Sequence, residues 1–430
     1  MTDESVFAKL PDYIQSGLNT VASEQGFTEG LVRFEFEDGS KKGDGFMGDL
    51  FKVIIREQNR DDVVVVCKTL PQSEARKMYT IRLFHREVEA YNEVLPMMRK
   101  FQIEMGISEG DPKGFWSFPK SYYAYCDVQK LEGVIIMEDL REKQFRMWKK
   151  SEPVDYEHTR MLVEQLGKLH AISFALKDQK PELFERFKQF KDPLGLLIQY
   201  EPRQAMAKMM NGSCERAIST LDENDELSRT KMQPIRGVVT ELYRNDTDGS
   251  QAEPYAVLGH GDCWVNNTMF RYQDENVKPT DICMLDWQLC RYVSPALDFV
   301  YFIFICTDEV LRANHYDQLL QDYYKSLSDC LLLLGGDPER QFPQSAFEDQ
   351  LKRFGRFALL ISFLVLPVIC TPSEELPDID QHMEKAQKAH QSGDDSTVEE
   401  IEFSSTANAD AIYRKRARGM IRDLVKFGYL

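Results

Sequence analysis

The 430-residue chain is 43% hydrophobic and 29% charged, the balance of a soluble globular protein with room for two or three compact units. Its formal net charge of −17 excludes non-specific binding to nucleic acid or anionic membranes, and obliges any polyphosphate ligand to find local cations.

Residues 5–28 have the spacing of an amphipathic helix. Val32, Phe34 and Phe36 then alternate with charged residues, which predicts a strand. After a turn rich in Gly, Lys and Asp, Leu50–Arg56 and Val63–Leu70 read as further strands. The second has four valines before Cys67 and Lys68 and suits burial on both faces. Ser73–Leu95 is a helix pattern with Phe84, Val88, Tyr91 and Leu95 on one face and Pro96 as its stop. Ser121–Tyr125 and Gly133–Met137 add two strands.

Beyond Leu140 the texture is helical, with a long helix over Tyr156–Leu176 and helices with polar breaks over residues 178–250. A β-rich island at Tyr255–Arg291 interrupts it, and helical patterns resume at Pro295. The most apolar run, Ala358–Cys370, contains Pro367 and falls short of the ~20 residues of a membrane span, so it reads as a buried helix. Ser373–Glu400, acidic and poor in aliphatic residues, reads as a mobile excursion. The expected architecture is α+β: a small β-rich region over residues 1–138, a larger helical region over 139–430, and a hinge near Glu138–Leu140. Nine scattered cysteines without a C-x-x-C pair, and seven histidines without zinc spacing, predict reduced thiols. The N-terminal MTDESVFAKLPDYI lacks the features of a signal peptide, so the expected setting is cytoplasmic.

The informative stretch runs from Leu258-Gly-His-Gly-Asp262 through Asn267 and Leu285-Asp286-Trp-Gln288 to Ser294-Pro-Ala-Leu-Asp298. Asp262 and Asn267 stand five apart on a loop leading into the strand Thr268–Tyr272. Asp286 is placed at the end of a second strand, Asp281–Leu285, with the polar turn Gln273–Thr280 between them. Such a hairpin brings all three side chains to one end. Two carboxylates and an amide oxygen are hard ligands that suit magnesium. Phosphoryl transfer needs this set: a carboxylate to take a hydroxyl proton, and a carboxylate with an amide to hold metal on the phosphates.

These residues resemble the aminoglycoside- and choline-kinase-like phosphotransferases, and more closely the ecdysteroid-kinase-like (CHK kinase-like) family, with its HGD-x-W-x-x-N, D-[FW]-Q and S-P-x-x-D pattern. The resemblance implies a protein-kinase-like fold with a small β-rich N-lobe and a larger helical C-lobe. It implies Asp262 as catalytic base, Asn267 and Asp286 as magnesium ligands, His260 as a brace of the loop, and Asp298 as its anchor through backbone hydrogen bonds. Only twelve residues separate Asp286 from Asp298, which leaves no room for a long activation segment and argues against a protein substrate.

Gly43-Asp-Gly45-Phe-Met-Gly48 fits G-x-G-x-x-G between two strands, which suits a kinase-type glycine loop or an ordinary hairpin turn. Lys68 would hold the α/β-phosphates of ATP, oriented by Glu87 of the Phe84-x-x-Glu87 pattern; Glu89 is the competing partner. Ile135–Leu140 resembles the family's hinge, in which backbone at Glu138–Leu140 would meet the adenine edge. His170, in Lys168-Leu-His170, reads as structural. Tyr301, Phe302, Phe304, Phe354, Phe357 and Phe363 read as core or as lining of an acceptor pocket. The basic run Arg414–Arg418 reads as a helix face packed on this acidic protein. The expectation is thus an ATP- and magnesium-dependent kinase of an alcohol, an ecdysteroid or similar lipophilic acceptor. A small polar alcohol of the choline or aminoglycoside type is the alternative acceptor, and a non-catalytic pseudokinase the alternative class.

Overall fold

In the computed structural model, the structure describes residues 6–38, 48–150, 152–200, 205–273, 278–372, 375 and 406–430. Gly43 and Gly45, and the expected excursion at Ser373–Glu400 apart from Glu375, lie outside them. The architecture is α+β. Among the described residues, one compact unit takes the chain up to Val94 together with Phe118–Arg146. The other takes Leu95–Ser117, Met147 onward and the C-terminus. Where the sequence suggests a single cut after residue 138, Leu95–Ser117 therefore belongs with the second unit.

The first unit is a five-stranded antiparallel sheet. Its strands are β1 (Arg33–Asp38), β2 (Asp49–Arg56), β3 (Val63–Thr69), β4 (Ser121–Asp127) and β5 (Glu132–Glu138), in the order β1-β2-β3-β5-β4. Helix α1 (Asp12–Glu24) lays Ile14, Leu18, Val21 and Ala22 on one face, against Val53, Ile55, Val65, Cys67, Val134 and Ile136. Because strand side chains alternate, burial of Val65 and Cys67 under α1 sends Lys68 to the opposite face. The valine run is less buried than expected: Val65 is enclosed, while Val63, Val64 and Val66 are half-buried. Gly48 has to be glycine, since a Cβ there would sit 2.5 Å from the Thr69 carbonyl where β2 begins to pair with β3.

Helix α2 (Glu74–Glu89) does not stop at Pro96. It passes into a π turn, Ala90–Val94, and Pro96 stands in the first turn of α3 (Leu95–Glu104). A first-turn position needs no N–H from proline, and the wider π turn just before it relieves the ring's clash with the preceding carbonyls. A short strand, β6 (Phe145–Met147), follows β5.

The second unit is built on α4 (Tyr156–Gln179). After it come α5 (Pro193–Tyr200), α6 (Ala205–Ile218), α7 (Glu226–Met232) and α8 (Val239–Asp246). The β island holds β7 (Val257–Gly259), β8 (Thr268–Tyr272), β9 (Pro279–Met284) and β10 (Arg291–Val293). β8 pairs with β9, and β7 with β10. The final helices are α9 (Ala296–Cys306), α10 (Glu309–Leu333), α11 (Gln344–Phe354), α12 (Phe357–Cys370) and α13 (Ala407–Lys426). Helix α12 carries Pro367 and is largely buried. Among the described residues no single helix is long and apolar enough to cross a membrane. On α13, Arg414 pairs with Asp410, Arg418 with Asp222, and Arg416 donates to the Ile305 carbonyl, so the basic run is spent on acids and carbonyls of its own unit.

Gly167 lets α4 and α10 approach closely: a Cβ there would lie 2.7 Å from the Tyr323 carbonyl oxygen and 2.9 Å from the Leu327 nitrogen. Gly167→Ala is expected to cost about 1–3 kcal/mol in urea unfolding through overpacking. Gly212→Ala, on α6 with nothing within 4 Å of its Cβ, should instead stabilise by about 0.5–1 kcal/mol.

Candidate active site

Four segments of the second unit build the site: the loop after β7, the β8–β9 hairpin, the turn after β9, and the first turns of α9. Gly261 adopts φ +87°, and a Cβ there would lie 2.0 Å from the Leu289 carbonyl oxygen, so the middle residue of His-Gly-Asp has to be glycine. This turn aims two consecutive backbone N–H groups at one carboxylate. His260 N donates to Asp298 Oδ2 at 2.7 Å and Gly261 N to Asp298 Oδ1 at 2.9 Å. His170 Nε2 adds a third donor at 3.2 Å, its Nδ1 accepting the Tyr323 hydroxyl at 2.7 Å. Burial alone would raise the Asp298 carboxyl. The His170 hydrogen bond and then Arg291 hold it down to about 2.

His260 is buried, and burial lowers its pKa, so it is a neutral imidazole. Its Nδ1 accepts the Asp262 N–H at 3.2 Å, and its Nε2 donates to the Leu285 carbonyl at 2.9 Å. Trp287 packs against it, ring centroids 4.6 Å apart. With both nitrogens bonded to backbone, His260 ties the loop to the hairpin.

The hairpin pairs Thr268 with Met284, and Leu285 N donates to the Asn267 carbonyl at 2.8 Å. The strand ends at Met284, one residue earlier than the sequence suggests. Asp286 lies just past it in left-handed backbone, φ 62° and ψ 68°. For a non-glycine residue this conformation costs about 1–3 kcal/mol and marks a position fixed by its surroundings. The hairpin thus bonds Asn267 to Leu285, the residue just before Asp286.

Asp262 is 8% exposed. Its Oδ1 accepts the Tyr301 hydroxyl at 2.8 Å. Its Oδ2 accepts Asn267 Nδ2 at 2.9 Å and, more weakly, Gln288 Nε2 at 3.5 Å. Burial and then the charge of Asp286 push its carboxyl up to about 6, against the pull of these donors. Asn267 Nδ2 also donates to the Asp262 carbonyl at 3.1 Å. Both amide hydrogens are thus directed to Asp262, and Asn267 Oδ1 accepts none of these bonds. Among the described residues no three His, Cys, Asp or Glu side chains gather in a metal-holding group. An oxygen set of Asn267, Asp286 and Asp262, with two carboxylates repelling one another, fits a hard divalent cation that takes its remaining ligands from phosphate and water.

In the first unit Lys68 Nζ lies 2.6 Å from Glu87 Oε2, both side chains buried. Glu89 is instead engaged by Arg86 at 3.0 Å and His85 at 3.6 Å. Glu138 accepts the Lys120 N–H at 2.9 Å and pairs with Lys143, so its carboxylate is committed within the sheet. Leu140 is buried at the start of a 3-10 turn capped by Asp139. One contributor escapes the sequence reading: Tyr301 looks like one more aromatic in an apolar helix, yet it holds Asp262. His170, read as structural, completes the Asp298 cradle. The signal for Tyr301 was its spacing, three residues after Asp298 and so on the same helix face.

Asp298→Asn leaves one acceptor and turns an N–H₂ against a backbone N–H. It is expected to destabilise by about 2–4 kcal/mol at pH 7 in urea unfolding. A depressed carboxylate contributes stability above its unfolded pKa and loses it as pH falls through the folded one. The gap between wild type and variant should therefore shrink between about pH 4 and pH 2.

The sequence of this chain matches the ecdysteroid kinase-like family over residues 42–336, well over half its length. A 70-residue stretch is 36% identical to 4-hydroxytryptamine kinase of Psilocybe cyanescens, covering 15% of this chain and 19% of that enzyme. The chain therefore spans about a fifth of that relative's length. Two GDP complexes of aminoglycoside 2'-phosphotransferase-IIIa, wild type and a mutant, align over 88% of this chain. They are covered over 97% and 96% of their own length, at 13% and 12% identity and TM-scores of 0.37 and 0.39. The family match takes in both the Lys68–Glu87 pair and the loop from His260 to Asp298, and the chain belongs to the ecdysteroid kinase-like family.

Proposed function

We propose that this protein is an ATP- and magnesium-dependent kinase that transfers the γ-phosphate to the hydroxyl of a small alcohol. The observation that carries this reading is the meeting of Asp262, Asn267 and Asp286 at one end of a hairpin, with the Asp262 carboxylate fixed by side-chain donors. Asp262 orients the acceptor hydroxyl and takes its proton, its raised pKa making it a better base than an exposed carboxylate. Asn267 and Asp286 would hold magnesium. When bound, the ion supplies neutralisation of the charge on the transferring phosphate. Lys68, steadied by Glu87, would contact the α/β-phosphates, with Gly43, Gly45 and Gly48 as their cover. The main chain at Glu138–Leu140 would meet the adenine. His260 and Asp298 keep the loop in shape.

Family membership points to an ecdysteroid or related lipophilic alcohol as acceptor. The relative named for 4-hydroxytryptamine adds a hydroxylated aromatic ring to the candidates. Nine free thiols, eight of them buried, fit a reducing cytoplasmic setting.

Transfer from radiolabelled ATP to an ecdysteroid, 4-hydroxytryptamine and choline tests the proposal. Asp262→Asn is expected to lower turnover by about 10²- to 10⁴-fold. Asn267→Ala should raise the magnesium concentration for half-maximal rate by about tenfold or more. Equal turnover of wild type and Asp262→Asn on every acceptor would show that the site has been misread.

A further inference from the structure

We propose that Tyr301 is a positioning residue for the base, so that one helix, α9, fixes both the backbone of the catalytic loop and the orientation of its carboxylate. The inference rests on the reading of Asp262 as base.

Asp298 and Tyr301 are three residues apart in α9 and therefore share a face. The first receives the N–H groups of His260 and Gly261. The second donates its hydroxyl to Asp262 Oδ1 at 2.8 Å. Nothing in α9's own packing calls for a hydroxyl here. Every residue of the helix is buried, Leu297, Phe299, Val300, Phe302 and Ile303 included, and the Tyr301 ring meets Phe357 edge-on, centroids 6.3 Å apart. A phenylalanine would fill the same space, so the hydroxyl is accounted for by the carboxylate it touches.

The terminal torsion of an aspartate is broad and roughly two-fold, so the carboxylate plane is set by its partners rather than by a rotamer well. Asn267 and Gln288 hold one oxygen, and Tyr301 holds the other. A plane fixed at both oxygens offers its remaining lone pairs in one direction, the condition for repeated proton transfer from an acceptor hydroxyl. Tyr301 itself stays a donor, because burial and then the Asp262 charge push its phenol well above the usual range.

Tyr301→Phe, Asp262→Asn and the double variant are compared with MgATP and the acceptors named above, water serving as acceptor where no alcohol reacts. Tyr301→Phe should lower kcat about 10- to 100-fold, the loss of one hydrogen bond to a charged group. KM for MgATP should change less than about twofold, since the hydroxyl acts on the base alone. In the Asp262→Asn background the same change should have no further effect, because the base that Tyr301 positions is already gone. Wild-type kcat in Tyr301→Phe, with Asp262→Asn disabled, overturns the inference and leaves the base standing. An equal slowing by Tyr301→Phe in both backgrounds also overturns it, as a general packing defect. Full activity in Asp262→Asn, or no phosphate transfer by the wild type to any acceptor, removes the base and the inference together. If Tyr301→Phe fails to fold, a fluorinated tyrosine at 301 keeps the shape and strengthens the donor. A changed kcat at constant KM then supports the proposal, and an unchanged one overturns it.

Discussion

The His-Gly-Asp loop depends on one buried carboxylate. Asp298 accepts two successive backbone N–H groups and the His170 ring, and each requirement propagates outward. Two adjacent N–H groups face one acceptor only when the chain turns through a positive φ, and Gly261 supplies it. Room for the carboxylate comes from Gly259, where a Cβ would stand 2.6 Å from Asp298 Oδ2. An ionised carboxylate out of water is costly unless its lone pairs are taken, and three donors take them here. The Gly-His-Gly-Asp sequence is therefore largely a statement about Asp298, thirty-six residues downstream of Asp262.

From that anchor the geometry passes to the hairpin through Leu285. Its N–H goes to the Asn267 carbonyl, and its carbonyl receives His260 Nε2. A residue held on both sides dictates the path of the next one, and Asp286 is delivered in left-handed backbone. Trp287 then turns inward beneath His260, with Phe115 against its edge at 6.2 Å. The strain at Asp286 persists because packing on one side and ladder hydrogen bonds on the other leave no relaxed alternative.

Much of this was legible because it is local. The α+β architecture follows from the order of the strands and helices, and the hairpin from two apolar runs around a polar turn. The choice of Glu87 over Glu89 as the partner of Lys68 follows from the family's F-x-x-E pattern and the helix face, and the structure pairs Lys68 with Glu87 at 2.6 Å. What escaped has non-local causes. Pro96 looks like a stop unless the π turn before it is known, and π turns carry no periodic signature. The grouping of Leu95–Ser117 with the second unit depends on contacts such as Ser117 with Met284, far apart in sequence. Tyr301 hides in a helix that is apolar or aromatic at every position but Asp298, so hydrophobic patterning cannot separate a tyrosine that packs from one that donates.

The carboxylates also show how one short region assigns different tasks to the same side chain. Asp262 and Asp298 are both buried, and burial raises each. They part because of the charges around them. Asp298 takes the His170 hydrogen bond, lies near Arg291, and stays ionised down to about pH 2. At Asp262 burial and then the charge of Asp286 act against the pull of Tyr301, Gln288 and Asn267 and leave it near 6. Donor count alone would not separate them, since each carboxylate has three. Arg291 near one carboxylate and Asp286 near the other help set the two apart.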